Sequence, residues 1–298
     1  MILKLSCPSK TFLIGEYAAL EGGPALILNT LPRFEFTLQK TGRTQIDIFH
    51  PKSPAGLWIR ERAPLLEGWE LSFLDPHKGR GGLGASSAQF LLSHCATTFL
   101  QISAAKAREG FDLKALWNDY VVLAKSASGY DVLSQAVGQV AHVETNNWIV
   151  QGLSWPFANL HFVIVRTGSK TPTHQHLNEV KSEQYKGLAD ISREACQAFE
   201  NKNEDQFIEL SKNYTRALIE RGLQSQKTLD CVADLEKALP LKLARGCGAM
   251  GADTLLIVFE QEYREKVIEV LKVKALEIVG ESQDLAVGLE TEWSWDKA

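Results

Sequence analysis

The sequence has no excess of charge of either sign, no long apolar run and too few cysteines to staple a fold. Its 32 Lys and Arg stand against 36 Asp and Glu, a formal net charge of -4. That balance offers no field to nucleic acid or to an anionic membrane, so an anionic ligand has to be met by a local site. The five cysteines, Cys7, Cys95, Cys196, Cys231 and Cys247, are odd in number and form no CxxC pair. Neither a disulfide framework nor a zinc site follows from them. Reduced thiols in a cytoplasmic protein are the expectation. No apolar run approaches the ~20 residues of a membrane helix. The apolar part of MILKLSCPSK is too short for a signal peptide, and Pro8 interrupts it. Internal repeats and low-complexity tracts are absent.

What is there is an ordinary globular composition, 45% hydrophobic and 23% charged, in 298 residues. The length suits two domains, each with its own core. Periodicity predicts strands at Leu3–Ser6, Phe12–Ile14, Val140–Glu144, His161–Val165 and Thr254–Phe259. Phe34–Leu38 and Gln45–Phe49 read as a hairpin around Thr41-Gly42, and Ala275–Val279 and Leu285–Leu289 as two short strands. Helices are expected over Ser86–Ile102, Leu113–Ala124, Val132–Ala136, His174–Glu200, Asp205–Arg221, Ser225–Leu239 and Tyr263–Lys272. Ser53–Pro64 is rich in turn residues. The pattern is α+β, with helices grouped on one side of a sheet. The domain boundary is expected near Trp155-Pro156, dividing the chain into 1–155 and 156–298.

The strongest local signal is Gly79-Arg80-Gly81-Gly82-Leu83-Gly84-Ala85-Ser86-Ser87-Ala88. Glycines let a backbone approach an anion closely and adopt positive φ. Amides at the start of the following helix then face that anion. Taken alone, the same residues also describe a flexible turn with a serine N-cap. The segment is not a Walker A loop, because no Gly-Lys-Ser/Thr follows. It is not a Rossmann fingerprint either, because no clear strand enters it.

Two further segments accompany it in order. One is Pro8-Ser9-Lys10-Thr11-Phe12-Leu13-Ile14-Gly15-Glu16-Tyr17-Ala18; the other is Gly246-Cys247-Gly248-Ala249-Met250-Gly251-Ala252-Asp253. The ordered triple resembles the three signatures of the GHMP kinase superfamily, across nearly the whole chain. Ser128-Gly129-Tyr130-Asp131 resembles the S-G-x-D segment of its mevalonate and phosphomevalonate kinase branch; by itself such an Asp reads as a helix cap.

The resemblance implies a two-domain fold, with an N-terminal domain like domain 2 of ribosomal protein S5 and a ferredoxin-like C-terminal domain. It implies ATP and Mg²⁺ as cofactors and a small-molecule acceptor, with no nucleic-acid or membrane partner and with a homodimer as the assembly considered. Gly81, Gly82, Leu83, Gly84, Ala85, Ser86 and Ser87 are the ATP-binding candidates, with Ser86 also the metal-associated hydroxyl. Lys10 and Asp131 are the catalytic candidates. Lys10, Glu16, Tyr17, Ser128, Gly129, Tyr130, Gly248 and Ala249 are the substrate-binding candidates. Lys125, Lys170 and Arg245 are further basic residues for an anionic acceptor, though a lone basic residue reads first as surface charge. Thr167–His174 resembles a segment that lines the pocket, and it equally reads as a helix cap. His174 and His176, two apart, share no helical face, which argues against a metal site there. A bulky residue at Gly84 is expected to abolish ATP binding while leaving the fold intact.

The sequence departs from the family pattern at Ala85, at Met250 and Ala252 in the third loop, and at Ser9. Tyr120, with Asp119 beside it, stands where mevalonate kinases carry a metal-binding glutamate. Glu16-Tyr17 resembles phosphomevalonate kinases, the first expectation for the activity, with mevalonate kinase the alternative. Diphosphomevalonate decarboxylase and a non-catalytic ATP-binding homologue are the further alternatives.

Overall fold

The computed structural model describes residues 1–101, 111–125, 127–168, 182–252 and 254–294. The expectations at Lys170, at 169–174, at His176 and at Asp253 lie outside the described residues. The first half of the chain runs β1 (Ile2–Ile14), β2 (Ala25–Lys40), α1 (Pro54–Glu61), β3 (Trp69–Leu74), α2 (Ala85–Gln101), α3 (Leu113–Ala124), α4 (Tyr130–Val137), β4 (Val140–Glu144) and β5 (Ile149–Leu153). The second half runs β6 (Leu160–Arg166), α5 (Leu188–Glu200), α6 (Glu204–Glu220), α7 (Gln226–Ala238), β7 (Leu243–Cys247), β8 (Thr254–Glu260), α8 (Arg264–Val273), β9 (Glu277–Glu281) and β10 (Glu290–Ser294). None of the described helices is long and apolar enough to cross a membrane.

The strands form two antiparallel sheets. The first has the order β10-β1-β2-β4-β5, with β3 also on β2; the second has the order β7-β8-β6-β9. In the second, helices separate its first strand from its second and its third from its fourth. That is the split βαβ arrangement of ferredoxin-like domains. The whole is the two-part α+β fold expected. The last strand departs from a simple division, because β10 returns to pair with β1 from Ile2↔Ser294 to Ser6↔Glu290.

Several expected elements differ. Phe34–Leu38 pairs not with Gln45–Phe49 but with β3, in the register Phe36↔Phe73 and Leu38↔Leu71. The alternation of Trp69, Leu71 and Phe73 puts three large apolar side chains on one face, and Trp69 and Leu71 are buried. Gln45 keeps only one bridge, to Glu70. The turn-rich stretch at 53–64 contains α1, with Pro54 in its first turn and the Ser53 hydroxyl accepting from the Gly56 amide at 3.1 Å. Leu285–Leu289 is no strand. Its backbone is spent crossing the first sheet, with Ala286 bonded to Asn29 and Gln139 and Leu289 to Ala136.

One core packs β1, β2 and the glycine-loop residue Leu83 against β6, β7, β8, α5 and α6. A second lies under α1, α2 and α3 on the first sheet. The shared core brings the glycine segments of the two halves into one neighbourhood.

Candidate active site

β10 accompanies β1 only as far as Ser6. Beyond it, that edge of β1 is taken by the glycine loop, with the Lys10 amide donating to the Leu83 carbonyl at 3.0 Å. The loop starts in a turn closed by Asp75, whose carboxylate accepts from the His77 and Gly79 amides, both at 2.8 Å. Gly81, Gly82 and Gly84 all have positive φ, a path open to few other residues. α2 follows at once. Its first amides have no carbonyl a turn behind them, so they face the space in front of the helix. Ser86 is exposed there, while Ser87 is buried and donates to the Gly84 carbonyl at 2.9 Å.

Lys10 reaches this space from β1 and Asp131 from the first turn of α4. Lys10 Nζ and Asp131 Oδ2 are 2.9 Å apart. The Lys10 side chain is 11% exposed and that of Asp131 35%, so the pair sits at a wall with its carboxylate open. Ser128-Gly129-Tyr130 positions Asp131. Trp117 Nε1 donates to the Ser128 carbonyl at 2.8 Å, and Gly129 has a φ of 78°. A Cβ on Gly129 would lie 2.5 Å from the Trp117 ring. Tyr130 is fully buried, and its hydroxyl donates to the Gly23 carbonyl at 2.8 Å and accepts from the Thr145 amide at 2.9 Å. These three residues build the turn rather than line the open face.

Glu16 and Tyr17 are also turned inward. The fully buried Arg245 donates to the Glu16 carboxylate and, at 2.7 Å, to the Leu13 carbonyl. The basic candidate Arg245 is therefore committed to Glu16 and not free for an acceptor. The Tyr17 hydroxyl accepts from the Met250 amide at 3.3 Å, where Met250 has a φ of 56°. Burial, with help from Glu16, holds the Tyr17 phenol neutral. Lys125 is exposed at the end of α3.

The third glycine loop stands beside the first, held through two adjacent residues at the end of β6. Arg166 Nη1 donates to the Gly81 carbonyl at 3.0 Å, and the Thr167 hydroxyl donates to the Ala252 carbonyl. Gly248 keeps a φ of 88°; Ala249 begins the following turn. A side chain at Gly246 would meet the Gly251 carbonyl, Thr228 and Gln224, and one at Gly251 would meet Gln224. This loop is packed from within by the protein.

Sequence reasoning missed several residues of this neighbourhood. Fully buried Gln135, on α4, donates to the Pro8 carbonyl at 2.8 Å and the Gly84 carbonyl at 3.2 Å. His77 Nε2 lies 2.6 Å from the Ser9 hydroxyl, which itself donates to the Pro32 carbonyl, so His77 donates there. Its other nitrogen then accepts from Arg166. Burial lowers the His77 pKa, and Arg166 lowers it further. Tyr120 is buried, with its phenol raised by burial and then by the Asp131 charge. Asp119 accepts from His94 Nε2 at 2.9 Å and is thereby engaged. No spacing in the sequence marks these partners, because each joins segments far apart in the chain.

The expectation for Gly84 needs correction. Its φ is +91°, and a Cβ there would lie 2.8 Å from both Lys10 Cγ and Gln135 Nε2. A bulky residue would disturb the protein's own packing as well as the space ahead of the helix.

The loop, the helix start, the exposed Ser86 hydroxyl and the ammonium of Lys10 fit a nucleotide polyphosphate. Among the described residues no three or more His, Cys, Asp or Glu gather to cage a metal. A Mg²⁺ ion brought in with the phosphates would find the Ser86 hydroxyl as its protein ligand here and would supply charge neutralisation.

No protein-family model and no curated protein matches the chain. Solved structures do match it. The Lin0012 protein from Listeria innocua aligns over 99% of this chain and 100% of its own, at a TM-score of 0.77 and 16% identity. Lactococcus lactis galactokinase complexed with galactose aligns over 97% and 95%, at 0.76 and 11%. Streptococcus pneumoniae phosphomevalonate kinase in complex with phosphomevalonate and AMPPNP aligns over 94% and 99%, at 0.72 and 16%. Mevalonate kinases and a putative homoserine kinase from Listeria monocytogenes are similar as well. This chain has the fold of the GHMP kinases.

Proposed function

We propose that the chain is an ATP-dependent small-molecule kinase, with residues 1–155 as its nucleotide-binding part and 156–298 as the second. The observation that carries this reading is the 2.9 Å contact of Lys10 and Asp131 beside the glycine loop that runs into α2. Phosphoryl transfer asks a protein mainly for positioning and for charge stabilisation. The amides of Gly82–Ser87 hold the nucleotide phosphates. Mg²⁺ neutralises phosphate charge when bound. Lys10, paired with Asp131, faces the transferring group. Asp131, held through Oδ2, orients the acceptor or takes its proton at Oδ1.

The acceptor we put first is phosphomevalonate, supported by the Glu16-Tyr17 form of the first motif and by the likeness to the Streptococcus pneumoniae enzyme. Mevalonate is the second reading. The Lys10–Asp131 pair favours it, because an alcohol acceptor needs a base and an ionised phosphate does not.

The test is ADP release from ATP and Mg²⁺ with mevalonate, phosphomevalonate, diphosphomevalonate, homoserine and galactose in turn, with CO₂ followed alongside. Acceptor-dependent ADP without CO₂ is the expected result. CO₂ release would make it a decarboxylase. ATP binding without turnover of any acceptor would make it a binding protein, and no ATP binding at all would end the reading.

A further inference from the structure

Three chain segments meet behind the Lys10–Asp131 pair, and one side chain touches all of them. Gln135 lies one helical turn after Asp131 on α4, so the two share a face. It is completely buried. Its amide nitrogen reaches the Pro8 carbonyl at 2.8 Å and the Gly84 carbonyl at 3.2 Å. Both partners are acceptors, so the NH₂ end must face them, one hydrogen to each. The amide oxygen points the other way and has no partner among the described residues.

The two partners are not equivalent. The Gly84 carbonyl also accepts from the Ala88 amide and the Ser87 hydroxyl, both at 2.9 Å. Pro8 lies on the stretch of β1 that β10 no longer accompanies. On a strand, the carbonyl of one residue and the amide two residues on point to the same side. The Pro8 carbonyl and the Lys10 amide therefore form one docking edge. The phosphate loop takes the amide, at Leu83, and Gln135 takes the carbonyl. The fit leaves no slack, since a Cβ on Gly84 would lie 2.8 Å from Gln135 Nε2.

We propose that Gln135 is a positioning residue, which sets the placement of Asp131 and Lys10 against the phosphate loop. It touches neither nucleotide nor acceptor. Its kinetic consequence rests on the kinase reading above; its structural consequence does not.

The test replaces Gln135 by Met, which keeps length and volume and removes both donors. The first measurement is amide exchange in the full chain without ligand. Exchange is expected to rise about tenfold or more in three separated segments together, 8–12, 82–88 and 130–137. A rise confined to 130–137, or none, overturns the proposal. This arm needs no activity, so it decides the matter even if no acceptor is ever turned over.

The second measurement uses the acceptor found by ADP release. A displacement of about 1 Å costs roughly 10²-fold in rate, so kcat should fall roughly 10- to 100-fold. The nucleotide Kd should stay within about threefold, because the loop amides and Ser86 remain. Combined with Asp131→Asn, Gln135→Met should cost less than it does alone, since part of its effect runs through Asp131. Full additivity, or an unchanged kcat, overturns the proposal. Should Gln135→Met fail to fold, Gln135→Glu keeps length and polarity while losing the paired donors, and the same outcomes apply to it.

Discussion

Replacing Asp131 by Asn separates chemistry from architecture at the site. Asn keeps the size of the side chain and an oxygen for Lys10 Nζ, now 2.9 Å from the carboxylate. What is lost is one negative charge in an ion pair whose acidic member is 35% exposed. Pairs that open to solvent are worth about 0–1 kcal/mol, so the midpoint of thermal unfolding should drop by no more than about 2–4 °C. Turnover should respond on another scale. General base catalysis contributes roughly 10²- to 10⁴-fold, or about 2.7–5.4 kcal/mol at about 1.36 kcal/mol per decade. The loss should appear in kcat and kcat/KM alike, as expected of an interaction made in the transition state. Nucleotide affinity should hold, because the Asp131 carboxylate is not among the groups facing the phosphates. The assays are steady-state ADP release, nucleotide titration calorimetry and thermal unfolding on one preparation. With a phosphate acceptor, already ionised near neutral pH, the kcat loss should be smaller and nearly independent of pH. An Asp131→Asn protein with full activity on the correct acceptor would refute the catalytic assignment.

Other changes probe neighbouring parts of the argument. Ser86→Asp places a negative charge in the first turn of α2, which should stabilise the helix by about 0.3–1 kcal/mol yet repel phosphates; calorimetry should find nucleotide affinity down about tenfold or more while the unfolding midpoint holds or rises. Arg245→Met leaves the buried Glu16 carboxylate uncompensated and should cost about 3–5 kcal/mol in denaturant unfolding; adding Glu16→Gln should recover most of it, and no recovery would show that the ion pair is not the cause. His77 is held below its ordinary value of 6.5 by burial and then by Arg166. The unfolded state therefore takes up a proton first, so stability is full above about pH 6.5 and falls as the pH drops below it. His77→Gln should flatten part of that slope, and an unchanged slope would remove His77 from the account.

The elements legible in the sequence are those whose pattern is local. Leu113–Ala124 and Val140–Glu144 have the expected bounds, and α6, β6 and β8 differ from expectation by a residue or so at their ends. The misread strands share one cause, a partner far away in the chain; α1 differs, since its Ser53 cap and Pro54 are local and also read as a turn. Trp69–Leu74 earns its place in the sheet through Phe36 and Leu38, thirty residues or more upstream. Glu290–Ser294 is exposed throughout and has no apolar stripe to announce it; it is a strand because β1 offers an edge. Intrinsic preference is a weak guide to such strands, since what is being satisfied is a neighbour's backbone.

The site divides along the same line, and its glycines show why. Gly84 and Gly251 both have positive φ and both stand in glycine segments of the ordered triple. At Gly84 the loop runs directly into a 17-residue helix whose second residue is an exposed serine, so its amides have somewhere to point. At Gly251 the space that a side chain would take is already filled by Gln224, and the loop serves as a wall braced by Tyr17 and Thr228. A glycine in a sequence states only that a side chain is not tolerated; whether a ligand or the protein occupies the space depends on residues elsewhere. Arg245 makes the same point for charge. As a letter it is a cation available to an anionic acceptor, whereas in place it is spent on Glu16 inside the core. Lys10 and Asp131 are each placed by their own segment's strand edge or turn, and the two segments converge on one contact.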